Sequence, residues 1–106
     1  MSEFIKVCSI KDLVKNSGVA ALVKDTQIAL FYINEQVFAL NNYDPIGKAN
    51  VMSRGMIGDI NGKLMVAAPL QKQHYNLQTG ECFDIEGISI PVYETKIENE
   101  NVFVKL

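Results

Sequence analysis

The sequence predicts an all-β domain, an antiparallel β-sandwich or barrel with two loops at one end and little helix. Three observations carry this. Apolar runs are short and are broken by turn residues at close intervals, the spacing of a sandwich or barrel. The runs are rich in β-branched and aromatic residues, which suit a pleated, half-buried surface. Compact turn signals separate neighbouring runs, the strongest being Asn61-Gly62.

Residues 4–10, FIKVCSI, read as the first strand. KDLVKNSG, 11–18, has room for one helical turn, stopped at Asn16-Ser17-Gly18. GVAALVK (18–24) and QIALFYI (27–33) form a hairpin across Lys24-Asp25-Thr26, and INEQVFAL (33–40) adds a turn and another strand. NNYDPIGKANVMSRG, 41–55, loses all periodicity and is rich in Asn, Asp, Pro, Gly and Ser. Long ordered loops of this kind are more often functional than merely connecting. MIGDINGKLMVAAP returns to a hairpin about Asn61-Gly62. PLQKQ (69–73) is a second irregular stretch, and HYNL leads into a turn at Gln78-Thr79-Gly80-Glu81 that ECFDI leaves. The final residues, GISIPVYETKIENENVFVKL, give two strands about a turn at 98–101, with the alternation of a half-buried pair.

With 106 residues, 48% of them apolar, the chain is expected to form a single packed domain spanning 1–106. The net charge is −2, and the one arginine, Arg54, stands apart from scattered lysines. That balance disfavours nucleic acid as a partner. No apolar run approaches the roughly 18 residues of a membrane span, so no membrane partner is expected. MSEFIKVCSI lacks the basic-then-apolar pattern of a secretory signal. A cytoplasmic protein with free thiols at Cys8 and Cys82 is the expectation.

The single histidine, His74, lies eight residues before Cys82. A zinc site needs about four N, S or O ligands, commonly in local Cys/His pairs, and no CxxC, HxxxH or CxH is present. Thiol catalysis would need a base and an orienting group beside Cys82. In HYNL, Tyr75 and Leu77 alternate toward the core, which turns His74 and Asn76 outward. His74 is therefore expected at an exposed loop edge without a task. GxSxG, P-loop and GxGxxG patterns are absent, and no catalytic residue is assigned.

Two irregular loops, the second running through an aromatic into Leu-x-Thr-Gly, resemble the Rieske [2Fe–2S] domain. That family reads C-x-H-x-G in the first loop and C-P-x-H-G-x-x-F-x-L-x-T-G in the second. Here YDPIG (43–47) lies under the first motif and APLQKQHYNLQTG (68–80) under the second. Gly47, Pro69, Leu77, Thr79 and Gly80 agree, with Tyr75 for the aromatic. The ligand positions do not agree. Tyr43 and Ala68 stand where the pattern has Cys, and Pro45 and Gln71 where it has His. A Rieske centre takes two thiolates and two imidazoles, so the resemblance implies the fold without its cluster and without a metal. The segment 46–67 is also longer than in common Rieske ferredoxins.

The combination is similar to the small subunit of the assimilatory NAD(P)H-dependent nitrite reductase. Asp44-Pro45, Ser53-Arg54-Gly55 and Lys72-Gln73-His74 carry that resemblance. It implies an accessory, non-catalytic subunit of an oxidoreductase that reduces nitrite to ammonia in nitrate assimilation. The large partner subunit would carry sirohaem, a [4Fe–4S] cluster and FAD, and bind NAD(P)H. The alternative is a free-standing β-sandwich interaction module with no redox role. Candidate partner contacts are Arg54, Lys72, Gln73, His74 and Met52. Arg54 reads equally as a solvated charge or a loop-internal donor, whereas for Met52 and Met56 core filling is the commoner use. Without a cluster, Pro45 and Pro69 would stiffen the loops, Asp44 would form an Asx turn, and Tyr43 would fill the vacated space.

Overall fold

The computed structural model describes residues 3–70 and 72–106. Eleven strands form among the described residues. They are β1 (Phe4–Ser9), β2 (Gly18–Val23), β3 (Thr26–Ile33), β4 (Gln36–Asn41), β5 (Tyr43–Asp44), β6 (Ala49–Asn50), β7 (Met56–Ile60), β8 (Lys63–Ala67), β9 (His74–Asn76), β10 (Val92–Glu98) and β11 (Asn101–Lys105). A six-stranded antiparallel sheet runs in the order β1-β11-β10-β4-β3-β2, and a three-stranded sheet β7-β8-β9 stands apart from it. The short β5–β6 pair lies inside the first loop.

The turns follow their residues. Lys24-Asp25, Asn34-Glu35, Asn61-Gly62 and Asn99-Glu100 all hold both central positions at positive φ, the geometry that matches the twist of a tight hairpin. The helical turn expected after β1 is a single 3-10 turn, Ile10–Asp12. It is closed by a capping box in which the Ser9 hydroxyl takes the N-terminal amides and Asp12 reaches back to Ser9 N–H at 2.9 Å. ECFDI does not form a strand. It makes only the isolated bridges Tyr75↔Cys82 and Glu81↔Ser89, because Ile88 and Ile90 fold back to bond Cys82 and Gly80 instead.

Alternation along β3 divides the interior in two. Ala29, Phe31 and Ile33 face one cluster with Leu40, Met52, Val66, Ala68, Tyr75, Leu77 and Ile90. Ile28 and Leu30 face the other with Leu13, Val23, Val37, Ala39, Val102 and Val104. Both sides of the large sheet are thus covered at its centre, which is why β3 reads as a nearly continuous apolar run. The small sheet and the two loops sit on the first cluster. The free thiols lie against different clusters, Cys8 on the second and Cys82 on the first. Burial, and then the nearby Asp12 carboxylate, push the Cys8 thiol pKa up, so it packs as a small apolar group.

Candidate functional site: two loops on one core

The first loop is anchored by Asn42, which is 2% exposed. Its Nδ2 donates to Gln27 Oε1 and to the Asn50 carbonyl, both at 3.2 Å. Its Oδ1 accepts from Ser53 N–H at 2.7 Å. Its backbone N–H reaches the Gln27 carbonyl, and its carbonyl accepts from Met52 N–H. One side chain therefore ties both arms of the loop to the large sheet. Gly18 of β2 permits the approach, since a Cβ there would collide with the Ser53 carbonyl oxygen.

Asp44 and Pro45 form the expected Asx turn, with Ile46 N–H donating to Asp44 Oδ1 at 3.0 Å. Lys48 N–H closes the loop onto the Asp44 carbonyl at 2.7 Å. Asp44 is fully buried. The second loop closes on Ala68, whose N–H donates to the Gln73 carbonyl and whose carbonyl accepts from Lys72 N–H. The loops meet at Gly47, where a Cβ would stand 2.7 Å from Asp44 Oδ2 and 2.9 Å from Leu70 Cδ1.

Downstream, Asn76 Oδ1 takes the amides of Gln78 and Thr79 at 2.7 and 3.2 Å, and Thr79 Oγ1 takes Glu81 N–H. Gly80 has φ +82° and lies against the Ile90 carbonyl, so the Thr-Gly of the motif is a packing requirement. Tyr75 is fully buried beneath both loops. Burial first, then the charge of Asp44, and to a lesser degree Cys82 and Asp84, push its phenol pKa up to about 12, so it is a neutral hydroxyl.

The sequence-derived residues fall into distinct environments. Arg54 is exposed, and among the described residues it has no ion-pair partner. Lys72 is exposed at φ 61°. Gln73 is half-buried, with its Oε1 turned inside rather than toward a rim. Met52 is not available as the partner contact for which it is a candidate, and takes the core place that is the commoner expectation. It is fully buried in the first core cluster, because the 3-10 turn Met52–Arg54 packs on β2 and β3. Tyr43 is the converse. At 43% exposure it does not fill the space between the loops, and it lines a shallow surface recess with Pro45 and Pro91.

His74 has a partner that sequence reasoning missed. Its Nδ1 lies 3.0 Å from Asp84 Oδ2, and its backbone N–H donates to the same oxygen at 2.7 Å. The backbone bond, and then the ring, hold the Asp84 carboxyl pKa below its usual range. Asn42, Asp84 and the burial of Asp44 are the functional-end features missed. The Asn41-Asn42 doublet opening the loop was the one available signal, since paired asparagines at a strand end often cap backbone amides.

The positions under the Rieske ligands do not fit a [2Fe–2S] cluster. Tyr43 points to solvent, Pro45 has no donor side chain, and Ala68 presents a buried methyl. Gln71 lies outside the described residues. His74 is taken up by Asp84, and Cys82 packs on the core. No group of three His, Cys, Asp or Glu side chains gathers among the described residues.

Comparison with known proteins gives a consistent picture. The Rieske-like [2Fe-2S] domain family matches residues 3–105. The nitrite reductase (NADH) small subunit of Escherichia coli K12 is 41% identical over 101 residues, covering 93% of this chain and 94% of that protein. The crystal structure of a putative NADH-dependent nitrite reductase small subunit from Mycobacterium tuberculosis superposes with TM-score 0.94 at 35% identity, covering 100% of this chain and 96% of that one. The nitrite reductase [NAD(P)H] large subunit of Klebsiella oxytoca carries a segment 37% identical to this sequence, covering 92% of this chain and 10% of that protein.

Proposed function

The chain belongs to the Rieske-like [2Fe-2S] domain family and, within it, to the small subunits of NAD(P)H nitrite reductase, and from that membership we propose that it acts by docking on the large subunit of that enzyme. One observation carries the reading. In Klebsiella oxytoca a segment like this chain is part of the polypeptide named as the large subunit, so the counterpart of this chain shares one polypeptide with it there. A free-standing interaction module has no such support.

The role proposed is accessory. The whole chain, 1–106, works as one cluster-less Rieske-like domain in the cytoplasm. Nitrite reduction to ammonia takes place in the partner, on its sirohaem, [4Fe–4S], FAD and NAD(P)H. The ligand positions of this chain offer no thiolate or imidazole, so it contributes surface and shape rather than a redox centre. The loop end is the proposed contact. Arg54 and Lys72 supply exposed positive charge that has no ion-pair partner among the described residues, and Leu70, at 54% exposure, supplies an apolar anchor on the second loop. Arginine and apolar anchors are the residues on which binding energy concentrates at interfaces. Met56, 76% exposed, continues the surface from its pairing with Ala67 at the foot of the second loop.

The test is co-purification of the large subunit with tagged chain, with NADH-dependent nitrite reduction measured in a strain lacking it. Loss of both with Arg54→Glu/Leu70→Asp, in a protein that still folds, is the expected result. A large subunit that is fully stable and active without this chain would overturn the reading.

A further inference from the structure

Three buried polar atoms of the described residues have no hydrogen-bond partner: Asp44 Oδ2, Gln73 Oε1 and the Tyr75 hydroxyl. They are not scattered. Asp44 belongs to the first loop, and Gln73 ends the second where β9 begins. Gln73 directly precedes β9 and its carbonyl accepts from Ala68 N–H, continuing the β8–β9 ladder, so the Gln73 and Tyr75 side chains leave the same face. Tyr75 faces the core, and Gln73 turns inward with it. Asp44 Oδ2 lies where the two loops meet, since a Cβ on Gly47 would stand 2.7 Å from it and 2.9 Å from Leu70 Cδ1 of the second loop. After burial, the Asp44 carboxylate is the largest of the nearby charges that raise the Tyr75 phenol pKa.

The donor inventory is specific. A carboxylate oxygen and an amide oxygen are acceptors, while a phenol that keeps its proton donates. A water molecule donates twice and accepts, and buried waters typically make about three bonds to polar groups of this kind. We propose that one buried water donates to Asp44 Oδ2 and Gln73 Oε1, accepts from the Tyr75 hydroxyl, and so cross-links the two loops at the position from which the ligand pattern has been lost. The site takes a single water-sized hydrogen-bonding guest in place of an inorganic bridge. No step of the partner's chemistry enters this inference, so it stands or falls independently of the docking role.

The sign of one conservative substitution decides it. Deleting a hydroxyl that has no partner is neutral or stabilising, whereas deleting one that holds a water costs a bond. Tyr75→Phe in the full chain is expected to lower Tm by about 4–8 °C, the shift of one net hydrogen bond in a domain of this size. Gln73→Met is expected to act in the same direction, and the double variant to lose less than the sum, because both release the same guest. A high-resolution crystal structure should show one water within hydrogen-bond distance of all three atoms. An unchanged or raised Tm for Tyr75→Phe would overturn the proposal. So would a direct Asp44–Tyr75 bond with no water between them, or a Tm that depends on which alkali chloride is present, which would mark an ion.

Discussion

Asn42 Oδ1 accepts the Ser53 amide at 2.7 Å across eleven residues of loop, while Nδ2 of the same side chain holds Gln27 of β3. One buried amide thus ties both arms of the first loop to the large sheet. Asn42→Ala is expected to cost about 2–4 kcal/mol in urea unfolding, since it removes the buried amide and leaves the Ser53 N–H and the Asn50 carbonyl without their partner in two part-buried bonds. Asn42→Asp should not rescue it. The Ser53 bond would survive, but a carboxylate oxygen would then face two acceptors, Gln27 Oε1 and the Asn50 carbonyl.

Met52 fills the core, the commoner use of a methionine, whereas Tyr43, expected to fill space between the loops, lies at the surface. Met52→Ala should cost about 2–5 kcal/mol, the range for emptying a buried side-chain site. Tyr43→Ala should shift stability by about 0.5 kcal/mol or less, as surface substitutions do. Equal melting temperatures for the two variants would contradict this assignment.

The Asp84 carboxyl pKa is lowered by the His74 amide and ring. Its folded value lies below its unfolded value of about 3.9, so its stabilising contribution is present above that pH and is lost as pH falls through the folded value. Asp84→Asn should thus lower Tm at neutral pH, modestly because the pair is exposed, and the gap from the parent should close under acid. A gap that persists at low pH would assign the effect to packing.

Gly80 and Gly62 share φ +82°, yet only Gly80 has a neighbour where a Cβ would go, the Ile90 carbonyl. Gly62→Ala is expected to cost about 1–2 kcal/mol, the left-handed penalty alone. Gly80→Ala should cost more than about 4 kcal/mol, in the class of overpacked cores, and thermal unfolding of the two variants separates these effects.

Much of the fold is legible in the residues because hairpins are local. The pairs β2–β3, β3–β4, β7–β8 and β10–β11 each join consecutive runs through a short turn, and alternation sets their faces. The pairing of β1 with β11 and of β10 with β4 joins segments far apart in the chain, and no local pattern encodes it. The site divides in the same way. The Asx turn at Asp44 and the burial of Tyr75 and Leu77 follow from neighbours in sequence. The His74–Asp84 pair and the burial of Met52 depend on how distant loops land on one core. Cysteine and histidine losses are visible in a motif alignment, but the hydrogen bonding that orders the first loop is carried by a common residue, Asn42, which no motif marks.

Among the described residues four tight turns close hairpins, and of these the one at Asn61-Gly62 alone places glycine at its second position; the others put Asp25, Glu35 and Glu100 in left-handed backbone at a cost of about 1–2 kcal/mol each. Those three turns join strands of the large sheet, so its hairpins are poor at standing alone and persist through their neighbours. Amide exchange from β3, β4 and β11 should accordingly report one collective opening, while the β7–β8 ribbon, with its self-sufficient turn, is free to breathe as a separate unit.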